Sequence, residues 1–424
     1  MNEKFLHFIW QHSLYEEKEL YTLDGEKITV LNCGEYNNNA GPDFLNAKIK
    51  IGNTIWAGNI EIHVKSSDWY RHKHNIDSAY NNVIIQIVYE NDQVIYRNNQ
   101  EILPVAILKF PNQIYEKYLS LITSQKIVAC DKILPSLQTI YLNFFFNRLV
   151  IERLEEKTQC IEDIFNYTGK NWEETFYIVL AKNFGFKVNA DSFEKLAKSL
   201  PLKYIYRHSN DLLAIESMLF GQAGFLEKNI NDEYYQKLQK EYFYLSKKFS
   251  LKTEKNLFWK FLRTRPLNFP TRRIAQLASI FYNQQNIFSK ILESKNIENI
   301  IEIFDQTISD YWKHHFTFEK SIDKCLPQKI GKKSIDNIII NTIVPIVFFY
   351  GFKNNIQEYK DRAIDFLDKI EAESNIIIKE MIKNSFNKPR SAFESQALIQ
   401  LRNNYCKKKK CLNCIIGKKF IANG

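Results

Sequence analysis

At 424 residues the chain exceeds one typical domain, so two or three are expected, with ample length for buried cores. Its 45% hydrophobic and 25% charged residues are ordinary for a soluble globular protein, and the formal net charge of +10 favours an anionic partner such as nucleic acid. Seven scattered cysteines and no visible signal peptide set aside a disulfide framework and point to a reducing cytoplasm. The longest apolar run, 338–352, is interrupted by Asn341, Thr342 and Pro345 and falls short of the roughly 20 residues a bilayer span needs. It reads as a buried helix, and no membrane association is expected.

In chain order, residues 3–15 set Phe5, Leu6, Ile9 and Trp10 on one helical stripe. KITVLNCGEYN reads as a strand that ends in a loop at Gly34 and the asparagines 37–39. Pro42-Asp43 then opens the alternating strand AKIKI, Gly52-Asn53 turns the chain, and a second strand carries Glu61, His63 and Lys65. Strand side chains alternate, so these three share one face while Ile60, Ile62 and Val64 share the other. A carboxylate before one strand, with a carboxylate and a base on its neighbour, can hold a divalent metal beside a phosphodiester. SSDWYRHKHNIDSAYN reads as a loop and short helix capped by Ser66, Ser67 or Asp68, and NVIIQIVYE as a central buried strand. Strand material near 94–110 closes a first domain, 1–112.

Helix, three strands, helix, strand, with Pro42-Asp43 seventeen residues before Glu61-Ile62-His63, resembles the PD-(D/E)XK nuclease superfamily. The resemblance implies a restriction-endonuclease-like core with a mixed sheet, and Mg²⁺ or Mn²⁺ held by Asp43 and Glu61. It also implies a Lys two residues after the second acid. Here His63 takes that place and Lys65 comes one pleat later. Glu35 and Asp68 are auxiliary candidates. Register sharpens the expectation. A strict two-residue turn at Gly52-Asn53 sets Asp43 opposite Ile62, on the wrong face. A nuclease-like site requires a longer turn, or a bulge near Asp43, which would set it opposite His63 and beside Glu61.

From residue 113 to 424 the periodicity is helical, which makes the whole chain α+β with a large, mostly α-helical second region. Within it, RTRPLNFPTRR carries Arg263, Arg265, Arg272 and Arg273, a candidate phosphate-contacting segment or a rigid connector with solvated charge. His72 and His74, with His63 and Asp77, could ligate a metal such as Zn²⁺, although HKH spacing suits one helical face poorly and favours a surface or substrate-facing role. Near the end, Cys406, Cys411 and Cys414 form C-x4-C-x2-C in a Lys-rich tail. Zinc or an iron–sulfur cluster would require a fourth, distant ligand from Cys33, Cys130, Cys160 or Cys325, and the alternative is reduced, metal-free thiols.

The phrases GPDFLNAKI, GNIEIHVKSSDWYRHKHNIDSAYNNVI, FGQAGFLE, RPLNFPTRRIAQLA and YCKKKKCLNCIIG resemble one bacterial family, domain-of-unknown-function 2851, and run almost the whole length. It implies no activity. Three readings follow: a metal-dependent nuclease using Asp43, Glu61, His63 and Lys65; a non-catalytic nucleic-acid-binding or scaffold protein that keeps the nuclease-like fold; and a zinc hydrolase built on His63, His72 and His74.

Overall fold

The computed structural model describes residues 1–422 except 17, 19, 137, 138, 263 and 319. The chain is α+β and divides into two compact units. Met1–Gln138, Lys383–Phe386 and Arg402–Gly424 form the first; Thr139–Ile382 and Asn387–Leu401 form the second.

The first unit is built on a mixed sheet. Helix α1 (Glu3–Gln11) starts at Asn2, whose side chain accepts from Lys4 N, and it buries Phe5, Leu6, Phe8, Ile9 and Trp10. Strands β1 (Ile28–Asn32), β2 (Glu35–Tyr36), β3 (Phe44–Ile51) and β4 (Thr54–Lys65) follow, then the one-turn helix α2 (Asp68–Arg71), β5 (Val83–Glu90), β6 (Val105–Ile107) and helix α3 (Asn112–Thr123). The sheet order is β1-β3-β4-β5-β6, with the short β2 pairing the far end of β3. β1, β3 and β4 pair antiparallel; β4, β5 and β6 pair parallel. β5 is therefore flanked on both sides, and its first six residues are all buried, which explains its nearly continuous apolar sequence.

On one sheet face Ile49, Ile60, Ile62, Ile85 and Ile87 join the α1 side chains in the main core. Helix α3 adds Ile114, Tyr118 and Leu121 to that core, and the C-terminal segment adds Ile421 with Cys411, Leu412 and Phe420 against it. The sequence boundary at residue 112 thus falls inside the first unit, because α3 and the tail complete its core. Their helical periodicity gave no sign of which sheet they cover.

The second unit is helical. Its long apolar helix, Lys332–Lys353, has the length and composition to cross a bilayer, and most of it is buried within the unit. A π-turn at Ile339–Ile343 precedes Pro345. Proline has no N–H to give the carbonyl four residues back, and Asn183 Nδ2 donates to Asn341 O at 3.1 Å in its stead.

Another polar feature of this unit is testable. Glu216 is fully buried and accepts hydrogen bonds from Tyr234 Oη and from Ser309 Oγ, the latter at 3.0 Å. Burial pushes its carboxyl up to about 7 from the ordinary 4.5. The folded state therefore binds an extra proton between those values. Stability is full below the lower one, falls as pH rises to the upper, and then levels. Thermal melts across that window are expected to show wild type losing about 3 kcal/mol that Glu216→Gln retains. Parallel curves for the two proteins would refute the buried proton.

A candidate metal centre on the sheet

The face of β4 opposite the main core carries the acids and imidazoles. Gly52-Asn53 forms a strict two-residue turn, with Ile51 opposite Thr54. The register then shifts between Phe44 and Ala47, so Phe44 pairs with Ile60 and the same register sets Asp43 opposite Glu61. The extra residue is on β3, where Asn46 takes a left-handed φ of 56°. A bulge on β3 moves Asp43 towards the turn end of β4, hence opposite Glu61 instead of His63. The two acids interlock through the backbone: Asp43 N donates to Glu61 Oε2 at 3.1 Å, and Ile62 N donates to Asp43 Oδ2 at 2.9 Å.

Two imidazoles meet at Glu61, and a third stands against one of them. Glu61 Oε1 is 3.4 Å from His63 Nε2 and 3.2 Å from His74 Nε2, while His63 Nε2 is 3.2 Å from His72 Nδ1. Among the described residues, His63, His72 and His74 are the one group of three or more His, Cys, Asp and Glu whose ligand atoms lie mutually within 4.8 Å. The chain brings them together by leaving the helix at once. His72 caps α2, and Lys73 adopts φ 64°, which folds His74 back so that its N–H reaches Trp69 O at 3.0 Å. His74 is then held between Tyr80, stacked at 3.8 Å, and the edge of Trp69.

The electrostatics suit a cation. Burial, and then the charge of Asp43, raises the Glu61 carboxyl far above the usual range. Burial and the neighbouring imidazoles push His63 down to about 2, and burial lowers His74 as well. Both rings are neutral at pH 7, as ligands must be. His74 Nε2 is buried with no hydrogen-bond partner, an orphaned atom directed at Glu61. On β5, paired with Glu61, the Gln86 amide nitrogen is 2.6 Å from His63 Nδ1, and its Oε1 is buried and unpartnered. Turning that amide end for end gives Oε1 the Nδ1–H donor it lacks and frees the Nε2 lone pair for a metal.

Over residues 3–376 the sequence matches the family described as "Protein of unknown function (DUF2851)". The chain belongs to that family. No curated protein and no solved structure matches it.

Other residues of this DUF2851 chain fall outside the cluster. Lys65 is about half exposed and pairs with Glu90 at 3.5 Å, away from the acids. Asp68 accepts from Lys65 N at 3.2 Å and pairs with Arg71 at 2.9 Å, so it fastens the strand end to α2. Asp77 caps the turn at Ser78–Tyr80. Glu35 is exposed on β2 opposite Leu45.

The arginine segment is corrected most. Arg272 and Arg273 are buried in the second unit, at 0% and 2% exposure, and cannot meet a phosphate backbone. Arg272 donates to the carbonyls of Trp312, His315 and Pro327. Arg273 donates to Gln276, Asn268 and Ser334 and stacks on Phe186. Arg265 is exposed; Arg263 lies outside the described residues.

Sequence reasoning missed His7, Gln86 and Tyr80. His7 Nε2 stands 3.2 Å from Asp43 Oδ2; burial lowers its pKa, but Asp43 outweighs that and the net shift is upward. Gln86 had a visible signal, as the lone polar residue in the apolar run VIIQIV.

Proposed function

We propose that this protein is a metal-dependent phosphodiesterase acting on nucleic acid. One observation carries the reading: Asp43 and Glu61 face each other across β3 and β4, with His63 and His74 against Glu61 and His72 against His63. Glu61 and the imidazoles would hold the ion. Mixed nitrogen and oxygen ligands suit Mn²⁺ or Zn²⁺ better than Mg²⁺, which prefers oxygen. A divalent ion there supplies Lewis-acid stabilisation of charge on a phosphodiester. Asp43, at 21% side-chain exposure, is more open than Glu61 at 6%, and so is the carboxylate that reaches substrate. His7 orients it. His72 is the exposed member of the three, at the rim. The order of strands, three antiparallel and then a parallel β5 after α2, supports the likeness to the PD-(D/E)XK core, and the net charge of +10 suits a polyanion.

A second reading, a non-catalytic nucleic-acid-binding or scaffold protein, is favoured by Lys65, whose amine pairs with Glu90 outside the cluster. Cleavage assays separate the two. Labelled single- and double-stranded DNA and RNA are incubated with Mn²⁺, Zn²⁺ or Mg²⁺ and either wild type or the Asp43→Ala/Glu61→Ala variant. Cleavage by wild type alone is expected. Folded, metal-loaded wild type that cuts none of these substrates leaves the scaffold reading standing.

A further inference from the structure

The first unit contains a second cluster of ligand-type side chains, apart from the sheet site. Four of its cysteines, Cys130, Cys406, Cys411 and Cys414, line one largely apolar hollow. Three come from the tail, and Cys130 comes from the segment after α3, more than 270 residues earlier in sequence. The other cysteines are placed differently. Cys33 directs its thiol to Gly34 O at 3.5 Å, and Cys160 and Cys325 are exposed residues of the second unit.

The surrounding backbone is shaped to bring the thiols together. Cys406 closes a π-turn at Leu401–Cys406, and Lys409 follows in a left-handed conformation. The Lys409 ammonium donates to Ser124 O at 2.7 Å and Lys126 O at 3.1 Å, which ties the tail to the segment leading into Cys130. Cys411 begins a 3₁₀ turn whose carbonyl accepts from Cys414 N at 3.2 Å, and Cys414 in turn precedes helix Ile415–Ala422. Gly417 of that helix lies so close that a Cβ there would sit 2.3 Å from Cys411 O. Only glycine permits this approach.

Spacing separates the two metal classes that four thiolates serve. Zinc bonds sulfur at about 2.3 Å, which sets tetrahedral sulfurs about 3.8 Å apart. Here no three of the four sulfurs lie mutually within 4.8 Å. A cubane interposes its own irons and sulfides and holds its thiolates further apart than a single ion does. Lys409 and Lys410 at the rim offset the negative charge of four thiolates round such a cluster.

We propose that Cys130, Cys406, Cys411 and Cys414 hold a [4Fe–4S] cluster within the first unit. Two ferrous ions, two ferric ions and four sulfides assemble with the four thiolates into the [4Fe–4S]²⁺ state, and the four thiols give up four protons on loading. The proposal is independent of the chemistry at Glu61. Its test is analysis of full-length protein purified without oxygen and reconstituted with ferrous iron, ferric iron and sulfide. About four iron and four acid-labile sulfide per chain, with broad visible absorption, are expected for wild type and for Cys160→Ser. Cys130→Ser is expected to lose them while keeping the far-UV circular dichroism of wild type. The wild-type stoichiometry decides even if that variant folds poorly. One zinc per chain without sulfide, or four thiols that remain titratable after reconstitution, overturns the proposal.

Discussion

Glu61→Ala protein, titrated with Mn²⁺ or Zn²⁺, is expected to bind on the order of 100-fold or more weakly than wild type. The expectation follows from what Glu61 does when no metal is present. Its carboxyl is 4% exposed, faces the Asp43 carboxylate, and is raised by burial and that charge towards about 9. Near pH 7 it therefore carries a proton, which a cation must displace. Binding to wild type should release that proton and tighten as pH rises from about 6 to about 9, whereas Glu61→Ala should lose both the release and most of the pH dependence. Calorimetry in two buffers of different ionisation enthalpy reads the proton directly. Gln86→Leu is the companion test. It removes only the group that orients His63, so affinity should drop about 10- to 100-fold with the pH dependence intact. Metal affinity unchanged in both variants would show that Glu61 and His63 hold no ion.

The face of β4 is legible in the sequence alone because alternation is a strict period of two. EIHVK separates Glu61 and His63 from Ile62 and Val64 whatever the tertiary context. The bulge was legible as a requirement only. Its residue, Asn46, is a type that tolerates left-handed backbone, yet nothing local says which strand carries the extra residue. The i, i+2 spacing of His72 and His74 does not suit one helical face. The chain escapes that limit at Lys73, a positive φ on a residue with no marked preference for one. Cys130 was one of four candidates for the fourth thiol, and only the docking of the tail against α3 selects it. The arginines were misread for a related reason. In a helix buried along its whole length, polar residues look like a solvated stripe although they serve the interior.

Arg272→Ala is expected to destabilise the protein by about 3–5 kcal/mol, the largest single stability effect considered for the second unit. The guanidinium is completely buried, and burial lowers its pKa only to about 10, so it stays charged at neutral pH. Its hydrogen-bond partners are the backbone carbonyls of Trp312, His315 and Pro327, with His315 O at 3.3 Å and Pro327 O at 2.5 Å. Truncation leaves these carbonyls without that donor, each costing roughly 1–3 kcal/mol if water cannot reach it, and opens a cavity where the completely buried side chain lay. The costs overlap, so the sum is bounded below their total. Lysine does not rescue the site, because one ammonium cannot fork to the carbonyls of Trp312, His315 and Pro327 as a planar guanidinium does. Arg265→Ala, at an exposed position of the same segment, should change stability by no more than about 0.5 kcal/mol. Urea unfolding of the three proteins makes the comparison. If Arg272→Ala unfolds at the wild-type midpoint yet binds nucleic acid less well, the arginine faces a ligand and its assignment to the interior is wrong.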